Sequence, residues 1–432
     1  MNTSTVALLI IIFTVLLYSS GKMPIALVAV LSLVSAVITG VLSFEDAFKG
    51  FAGSTVFTII GMMFIGQALF ETGVAEKIGR LAFGRFVGDE RKLIIAVFLV
   101  TSFLSAFLYN TSVIVIMMPI VASYVNKSGG NLKLKNFYMA LSHATIIGSR
   151  MTIIGADGFF MAHEVFDASA LSYKFAFFEP FPIMLVTTLI LALTYFYIIY
   201  PLGCRIFDFN SELNPIDFNE NEKNEFSKRK AVISASVMVI VALCAAFMRS
   251  ISQVIPGINL AIISLAGAMI LCFTGCIDFE KQLKKLNIDT IIIVGSSSGF
   301  AACFLKSGIG DAFVKLLMSM GESVNSPALL VFAFTFGTAL ITNLMSNAAA
   351  VTILTSLAIS VSSGLGINYV PLVMAVVCGS ASGVMLPTST STLTMSMEAG
   401  YRYTDYIKIG GIVTAVTVIS ESAMIILLYG LL

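Results

Sequence analysis

The chain has 432 residues, of which 58% are hydrophobic and only 11% are charged, and its formal net charge is +1. A soluble domain averages roughly 25% charged residues, so this composition excludes a soluble enzyme and predicts an all-α, polytopic membrane protein. No basic stripe that could bind nucleic acid is present, and the six cysteines lie scattered in apolar runs without metal-site spacing.

The apolar segments, taken in chain order, predict ten transmembrane helices. Spanning a bilayer takes about 20 mostly apolar residues. Segments of this kind lie near residues 4–20, 24–42, 55–73, 137–157, 180–201, 231–249, 258–277, 289–306, 371–397 and 408–431. The polar stretch 202–230 is predicted to be a cytoplasmic linker between a first half, 1–201, and a second half, 231–432.

Two further apolar stretches, 93–125 and 327–363, are each too long for one helix. Polar residues interrupt both at the centre, around Asn110 in the first and Asn347 in the second. Polar backbone at membrane depth is tolerated only where it is buried in protein or lines a cavity. The sequence therefore predicts two re-entrant hairpins, each entering and leaving on the same side of the membrane.

The basic residues favour this topology. With both hairpins re-entrant, nineteen of the 25 lysines and arginines fall in loops on one side. The opposite side receives only Lys49, Lys174, Arg249, Lys306 and Lys315. Since cytoplasmic loops carry the excess of positive charge, we expect a multi-pass protein of the cell membrane with both termini outside the cytoplasm.

The two halves resemble each other. Phe44-Glu45 matches Phe279-Glu280 at an offset of 235, and at an offset of 237 Ser105 and Asn110 match Thr342 and Asn347. Each half has three spans, a re-entrant hairpin and two more spans. Because each half crosses the membrane five times, the second half is predicted to be inverted relative to the first. Inverted repeats with interrupted helices are typical of secondary transporters, whose sites lie between the repeats near the membrane midplane.

The span after each hairpin carries its own interruption. Glycine, proline and hydroxyl residues are concentrated at 148–158 in the first half and at 379–392 in the second, which predicts broken helices over 137–160 and 371–397. Unwinding there would leave free N–H groups and positive helix ends for an anion, and carbonyl oxygens for a cation. Such a site suits a small anion accompanied by cations.

With these features the chain resembles the divalent anion/sodium symporter family, whose members carry Ser-Asn-Thr at each hairpin tip. The corresponding residues here are Tyr109-Asn110-Thr111 and Ser346-Asn347-Ala348. The resemblance implies a homodimeric secondary transporter of di- or tricarboxylates, or sulfate, working by an elevator motion as a sodium symporter or an exchanger. It implies no cofactor other than sodium.

Carried over by position, the resemblance implies two sodium sites and one substrate site. The sodium ligands would be Ser105, Asn110 and Gly155 in the first half and Thr342, Asn347 and Ser389 in the second. The substrate would contact Asn110, Thr111, Ser112, Ala156, Ser346, Asn347, Ala348, Thr390 and Ser391. Four positions depart from the family pattern. Tyr109 stands in place of the motif serine and Ala348 in place of the motif threonine, so each loses a small hydroxyl side chain. Asp157 and Ser391 stand in place of prolines.

Arg150 is the only basic residue predicted to lie inside a span. Intramembrane charges are functional by default, so Arg150 is a candidate for binding the anion or for replacing a sodium ion. The alternative is a structural ion pair with Asp157, or a side chain that reaches the interface.

Asp157, His143 and Glu421 could each carry a coupling ion or proton. Buried residues of this kind also serve as hydrogen-bond partners between helices. If they carry ions, the chain could instead be a sodium/proton antiporter of the same superfamily.

Two weaker patterns point elsewhere. Residues 295–299, Gly-Ser-Ser-Ser-Gly, fit the G-x-S-x-G nucleophile pattern, but they lie in an apolar helix and also form a G-x-x-x-G packing motif. His163-Glu164 lacks the second histidine of the H-E-x-x-H zinc motif. Residues 76–87 and 311–320 have helical apolar spacing and are predicted to be interfacial helices or ordinary amphipathic connectors.

Overall fold

The computed structural model describes residues 2–20, 22–83, 89–128, 132–207, 227–319 and 326–431. Within these ranges every regular element is helical, as the composition predicts. The α-helices in chain order are α1 Thr3–Ser20, α2 Ile25–Ile38, α3 Phe44–Phe48, α4 Ser54–Glu71, α5 Val74–Phe83, α6 Glu90–Ser105, α7 Asn110–Lys127, α8 Tyr138–Gly148, α9 Gly158–Ala168, α10 Phe181–Thr194 and α11 Tyr200–Ile206. They continue as α12 Lys228–Ala246, α13 Met248–Val254, α14 Leu260–Phe273, α15 Phe279–Lys285, α16 Ile288–Ser307, α17 Ile309–Ser319, α18 Pro327–Leu344, α19 Asn347–Leu365, α20 Tyr369–Gly379, α21 Ser391–Ser396 and α22 Tyr403–Leu428.

Short 3-10 turns connect several of these helices, at Lys49–Ala52, Leu134–Asn136, Ser149–Met151, Pro387–Ser389 and Met397–Ala399. A π-helical turn, Tyr195–Ile199, joins α10 to α11. Polar side chains cap several helices: Ser43, for example, accepts a hydrogen bond from the Asp46 N–H at the start of α3.

Seven helical stretches of the described chain are long and apolar enough to cross a bilayer. They are Phe44–Glu71, Phe181–Ile206, Lys228–Ala246, Ile288–Ser307, Pro327–Leu344, Asn347–Leu365 and Tyr403–Leu428. This confirms the prediction of an all-helical membrane protein.

The helices on either side extend into the predicted linker 202–230. Residues 202–206 continue the helical stretch of α10 past the apolar run, and α12 already begins at Lys228. The reason is that basic side chains at a helix end can extend into the polar interface without ending the helix. Residues 208–226 of the predicted linker lie outside the described residues, as do Phe86 and Met320 at the ends of the two amphipathic stretches.

The stretches predicted as hairpins are each two helices joined by a short break. In the first, α6 and α7 are separated by residues 106–109, and Tyr109 has extended backbone (φ −65°, ψ 135°). In the second, α18 and α19 are separated by Met345 and Ser346, and Ser346 is also extended (φ −63°, ψ 145°). Asn110 and Asn347 are therefore equivalent first residues of α7 and α19.

The spans predicted to be interrupted also consist of two helices each. Helix α8 ends at Gly148 and α9 begins at Gly158, while α20 ends at Gly379 and α21 begins at Ser391. In both halves a glycine lets the first part of the broken span pack closely on the preceding hairpin. A methyl group added at Gly148 would lie 2.3 Å from Ser102 Cα, and one added at Gly379 would lie 2.5 Å from the Thr335 carbonyl oxygen.

Helix α16 packs on α2, α9 and the 49–52 turn. The two glycines of its G-x-x-x-G motif make this possible: a methyl group at Gly295 would lie 2.7 Å from the Phe51 ring, and one at Gly299 would lie 2.2 Å from the Ala47 carbonyl oxygen. Within the helix, Ser297 donates to the Ile293 carbonyl at 2.9 Å. The motif is therefore a packing motif inside a helix, not a nucleophile elbow between a strand and a helix.

Candidate functional site

The two breaks between paired helices present the same group. The side-chain Oδ1 atoms of Asn110 and Asn347 are both buried, and neither has a hydrogen-bond partner. Buried polar atoms are usually satisfied, so two equivalent unsatisfied oxygens at the N-termini of α7 and α19 indicate positions where a ligand could bind.

The structure brings together two of the three first-half residues assigned to sodium. A methyl group at Gly155 would lie 2.4 Å from the carbonyl oxygens of both Ser105 and Ser149, so three backbone segments meet there. The Ser105 hydroxyl donates to the Thr145 carbonyl at 2.7 Å, which leaves its oxygen free to accept or coordinate. Neutral oxygens of this type are hard ligands, suited to a hard cation.

The second-half set has a comparable arrangement. A methyl group at Gly383 would lie 2.0 Å from Thr342 Oγ1, so the second interruption touches Thr342. The Ser389 hydroxyl is buried without a hydrogen-bond partner. In the described part of the chain, no group of three or more His, Cys, Asp or Glu side chains could hold a metal ion.

Asn343 fixes the shape of the second interruption, a role that the sequence analysis missed. Its Oδ1 accepts from the backbone N–H groups of Met385 (2.8 Å) and Leu386 (3.1 Å), and its Nδ2 donates to the Ala339 carbonyl (2.7 Å). The sequence signal for this role is a second asparagine, Asn343, in the polar segment 342–347. The family motif includes only Asn347.

Arg150 connects the two interruptions. It lies in the 3-10 turn after α8 and is only 2% exposed. Its Nη2 donates to Ser380 Oγ at 2.8 Å, and its Nη1 lies 3.9 Å from Asp157 Oδ1. Its Nε and Nη1 make no hydrogen bond. Of the lysines and arginines whose side chains the structure describes, Arg150 is the only buried one.

Glu421 places a second carboxyl beside the second interruption. It is fully buried on α22, its Oε2 accepts from Ser382 Oγ at 2.9 Å, and its Oε1 has no hydrogen-bond partner. Thr414, on the same helix, donates to the Ser382 carbonyl at 2.6 Å. Helix α22 therefore holds the unwound segment at two points.

His143 is placed differently. Its Nδ1 is hydrogen-bonded to the Tyr195 hydroxyl, at the start of the π-helical turn, and its Nε2 is buried without a partner. The ring therefore faces the π-helical turn that follows α10.

A cavity of about 110 Å³ lies beside the first break and the first interruption. Its lining includes the predicted substrate residues Thr111 and Ser112, together with Tyr109 and Asp157, whose side chain is 22% exposed. Helix α4 and residues 282–290 complete the wall. The other predicted substrate residues are not among its described lining residues: Asn110, Arg150, Ala156, Ser346, Asn347, Ala348, Thr390 and Ser391.

Tyr109 anchors the first break to the opposite wall of this cavity. Its hydroxyl is 2.8 Å from Thr290 Oγ1 and accepts from Asn287 Nδ2 at 3.2 Å. Nearby, Lys285 pairs with Glu71 at 3.1 Å. Where the family motif has a serine, this chain therefore has a tyrosine whose hydroxyl contacts the N-terminus of α16.

Two predicted substrate hydroxyls are used in helix capping. Ser346 Oγ accepts from the Ala349 N–H at 3.2 Å, and Thr390 Oγ1 accepts from the Leu393 N–H at 3.4 Å. Both hydroxyls therefore cap the N-termini of α19 and α21.

Known structures share this fold. The structure of Neisseria gonorrhoeae MtrF, described as one of a class of antimetabolite efflux pumps, covers 98% of this chain and 94% of its own, with a TM-score of 0.61 and 12% identity. The Alcanivorax borkumensis YdaH transporter covers 98% of both chains, with a TM-score of 0.60 and 15% identity. Both belong to transporters, and at this identity the likeness shows the fold alone.

Sequence relatives are named as transporters too. An uncharacterized transporter of Haemophilus influenzae is 24% identical over 96% of this chain and 90% of its own length. A probable sodium/sulfate cotransporter of Chlamydomonas reinhardtii is 25% identical over 33% of this chain and 16% of its own. The family model described as citrate transporter (CitMHS) matches residues 8–379. This agrees with the resemblance seen in the sequence, and the chain belongs to the citrate transporter (CitMHS) family of membrane transporters.

Proposed function

We propose that this protein is a secondary active transporter of small di- or tricarboxylates, with citrate as the first candidate substrate, and that Arg150 binds the anion. The observation that carries the proposal is the buried Arg150 guanidinium, which touches both interruptions yet keeps its Nε and Nη1 without hydrogen bonds. Guanidinium groups bind carboxylates through two parallel hydrogen bonds. The N-terminus of α9 adds a second favourable element, because a methyl group at Gly158 would lie 3.0 Å from Arg150 Nη1.

Asp157 gives the proposed site a requirement for cations. Its carboxylate lies 3.9 Å from Arg150, close enough to balance the charge but too far for a hydrogen bond. The guanidinium can therefore form hydrogen bonds with an incoming carboxylate. Asp157 would then face an anion and need a positive charge of its own. We propose that sodium supplies it, bound by Ser105, Asn110 and Gly155, with Thr342, Asn347 and Ser389 as the second set.

The proposed architecture has ten spans and two re-entrant hairpins in two inverted repeats, 1–201 and 231–432. The equivalent contacts of Gly148 with Ser102 and of Gly379 with Thr335 support the repeat. The cavity is lined by Gln282, Lys285 and Asn287, on the side that the basic residues assign to the cytoplasm. The protein would therefore be inward-facing, with both termini outside; the elevator motion and the homodimer rest on the family resemblance.

Counterflow in proteoliposomes tests the proposal. Vesicles carrying the purified protein are loaded with unlabelled citrate, succinate or sulfate, and uptake of the labelled anion is followed with sodium or choline outside. We expect saturable uptake of a di- or tricarboxylate that depends on internal substrate and is faster with sodium. Uptake equal to that of protein-free vesicles for all three anions would contradict the proposal.

A sodium/proton antiporter is the second candidate, favoured by the two carboxyl groups, Asp157 and Glu421, beside the two interruptions. Glu421 keeps one oxygen without a hydrogen-bond partner. When sodium is added outside in the absence of any carboxylate, an antiporter would exchange it for internal protons and alkalise the vesicle lumen. The proposed anion transporter would give such a change only with the anion present.

A further inference from the structure

Glu164 is a buried carboxyl group that the proposed transport mechanism does not use. It lies on α9, two turns beyond Asp157, and is only 2% exposed. Its Oε1 has no hydrogen-bond partner, and among the described residues it forms no ion pair. The side chain points towards the turn Lys49–Ala52 and Gly53.

The backbone of that turn is shaped around the carboxyl group. A methyl group at Gly53 would lie 3.0 Å from Glu164 Oε1, and one at Gly50 would lie 3.0 Å from Oε2. Thr55, at the start of α4, is the neighbouring hydroxyl residue that acts on the carboxyl group. On the far side, a methyl group at Gly50 would lie 2.4 Å from the Gly295 carbonyl oxygen of α16. The turn, α4 and α16 therefore enclose Glu164. We call this contact of Glu164 on α9 with residues 49–55 and Gly295 the α9 seam.

The charged groups around the α9 seam do not neutralise Glu164. Lys49 on the turn, and Asp167 and Lys174 beyond it, are the charged residues that act on this carboxyl group. All three are exposed, and Lys174 is paired with Asp167 at 3.0 Å. The neighbouring His163 directs its Nε2 to the Phe175 N–H at 2.9 Å. From α4 the facing group is Thr55. On α16, Ser298 borders Gly50, where an added methyl group would lie 3.1 Å from Ser298 Cβ.

An unpaired carboxylate is costly to bury, whereas the neutral carboxylic acid costs far less because it carries no charge. We propose that Glu164 is a proton-binding site, and that the bound proton holds the α9 seam closed. Loss of the proton would leave a buried charge, which is relieved when α9 separates from the turn and water reaches the carboxylate. The proposal rests on the proposed function only in requiring that α9 moves; it does not depend on which anion is carried.

Carbodiimide labelling of the purified full-length protein tests protonation directly, because dicyclohexylcarbodiimide reacts with protonated carboxyl groups in apolar surroundings. We expect a Glu164 adduct by mass spectrometry that declines as the pH is raised from about 5 to about 9. The exposed, ion-paired Asp167 serves as the internal control and should remain unlabelled at neutral pH. An unlabelled Glu164 at the lowest pH, or labelling that does not change with pH, would overturn the proposal.

Hydrogen–deuterium exchange tests the link to closure. Amide exchange accelerates with pH even in an unstructured chain. In the wild-type protein, exchange at residues 49–53 should increase between low and high pH by more than this intrinsic acceleration. Glu164→Gln, which mimics the neutral acid, should keep them protected at both pH values, while Asp167→Asn should behave as wild type. If the amides of residues 49–53 in Glu164→Gln show the same pH-dependent loss of protection as in the wild type, the proposal is contradicted. If that variant fails to elute as a single folded species, the wild-type labelling decides.

Neither measurement uses a substrate. A negative citrate counterflow result with positive labelling would therefore refute the proposed function alone, and the reverse combination would refute the proton site alone.

Discussion

Arg150 and Ser380 join the two interrupted helices: Nη2 of the arginine donates to Oγ of the serine at 2.8 Å in a fully buried setting. The two residues come from different halves of the chain, 230 positions apart. The sequences Gly148-Ser149-Arg150 and Gly379-Ser380-Ala381 follow the equivalent helices α8 and α20. After α8 the third residue of this pattern is Arg150, and after α20 it is Ala381. One buried guanidinium therefore contacts both interruptions.

Ser380→Ala should weaken anion binding without unfolding the protein. The substitution removes a hydrogen bond to a charged group, which contributes about 1.5–3 kcal/mol, so the apparent Kd for citrate should rise by roughly tenfold or more. A thermal-shift titration measures this, because a ligand that binds the native state raises Tm by mass action. Ser35→Ala, which loses only a local bond to the Leu31 carbonyl, is the control. An unchanged Kd in Ser380→Ala would remove Ser380 from the site.

Asp157→Asn should make anion binding independent of sodium. The substitution removes the carboxylate that faces the bound anion but keeps the size of the side chain. We expect the thermal shift given by citrate to be the same in sodium chloride and choline chloride, whereas the wild type responds more strongly in sodium. A variant that retains the wild-type sodium dependence would show that Asp157 is not the reason for the cation requirement.

Gly155→Ala should disrupt the first interruption. The added methyl group would lie 2.4 Å from two carbonyl oxygens, and overpacking of this kind costs about 1–3 kcal/mol. We expect a lower Tm and a loss of sodium-dependent stabilisation.

Gly337→Ala is the matched control for that prediction. Gly337 lies inside α18 with no atom within 4 Å of an added methyl group, and alanine favours a helix over glycine by about 1 kcal/mol. Its Tm should be unchanged or higher. Equal behaviour of the two alanine variants would contradict the close approach at Gly155.

Asn343→Ala should loosen the second interruption. It leaves the N–H groups of Met385 and Leu386 without their acceptor, and an unsatisfied buried polar group costs about 1–3 kcal/mol. The Tm should therefore fall further than in Asn259→Ala, where only the exposed cap of α14 is lost. A smaller fall than in the Asn259 variant would mean that the second interruption does not depend on Asn343.

The parts of this fold that follow from local composition could be predicted from the sequence. Asn110 and Asn347 stand out as polar residues within long apolar stretches, and both begin helices after a break. The interruptions after Gly148 and Gly379 were equally visible, because glycine and hydroxyl residues disfavour helix at membrane depth. The 3.6-residue period and span length are properties of neighbouring residues, so they need no knowledge of tertiary packing.

Contacts between distant segments could not be predicted in the same way. The Arg150–Ser380 bond depends on how two halves of the chain pack, and the anchoring of Tyr109 on Thr290 depends on the position of α16. The sequence marks Glu164 only as half of an incomplete zinc motif, because nothing local indicates that a glycine turn more than 100 residues earlier encloses it. Pairing across such distances is decided by packing, which a single sequence does not specify.

The most direct test of the central claim is citrate counterflow by Arg150→Gln measured against Arg80→Gln, whose arginine is exposed and pairs with Glu76 in the i,i+4 arrangement. Removing a buried charge that pairs with a ligand costs about 2–5 kcal/mol, so Arg150→Gln should lose about 100-fold in uptake at low citrate concentration. Arg80→Gln should match the wild type. Counterflow by folded Arg150→Gln at the wild-type rate would contradict the account.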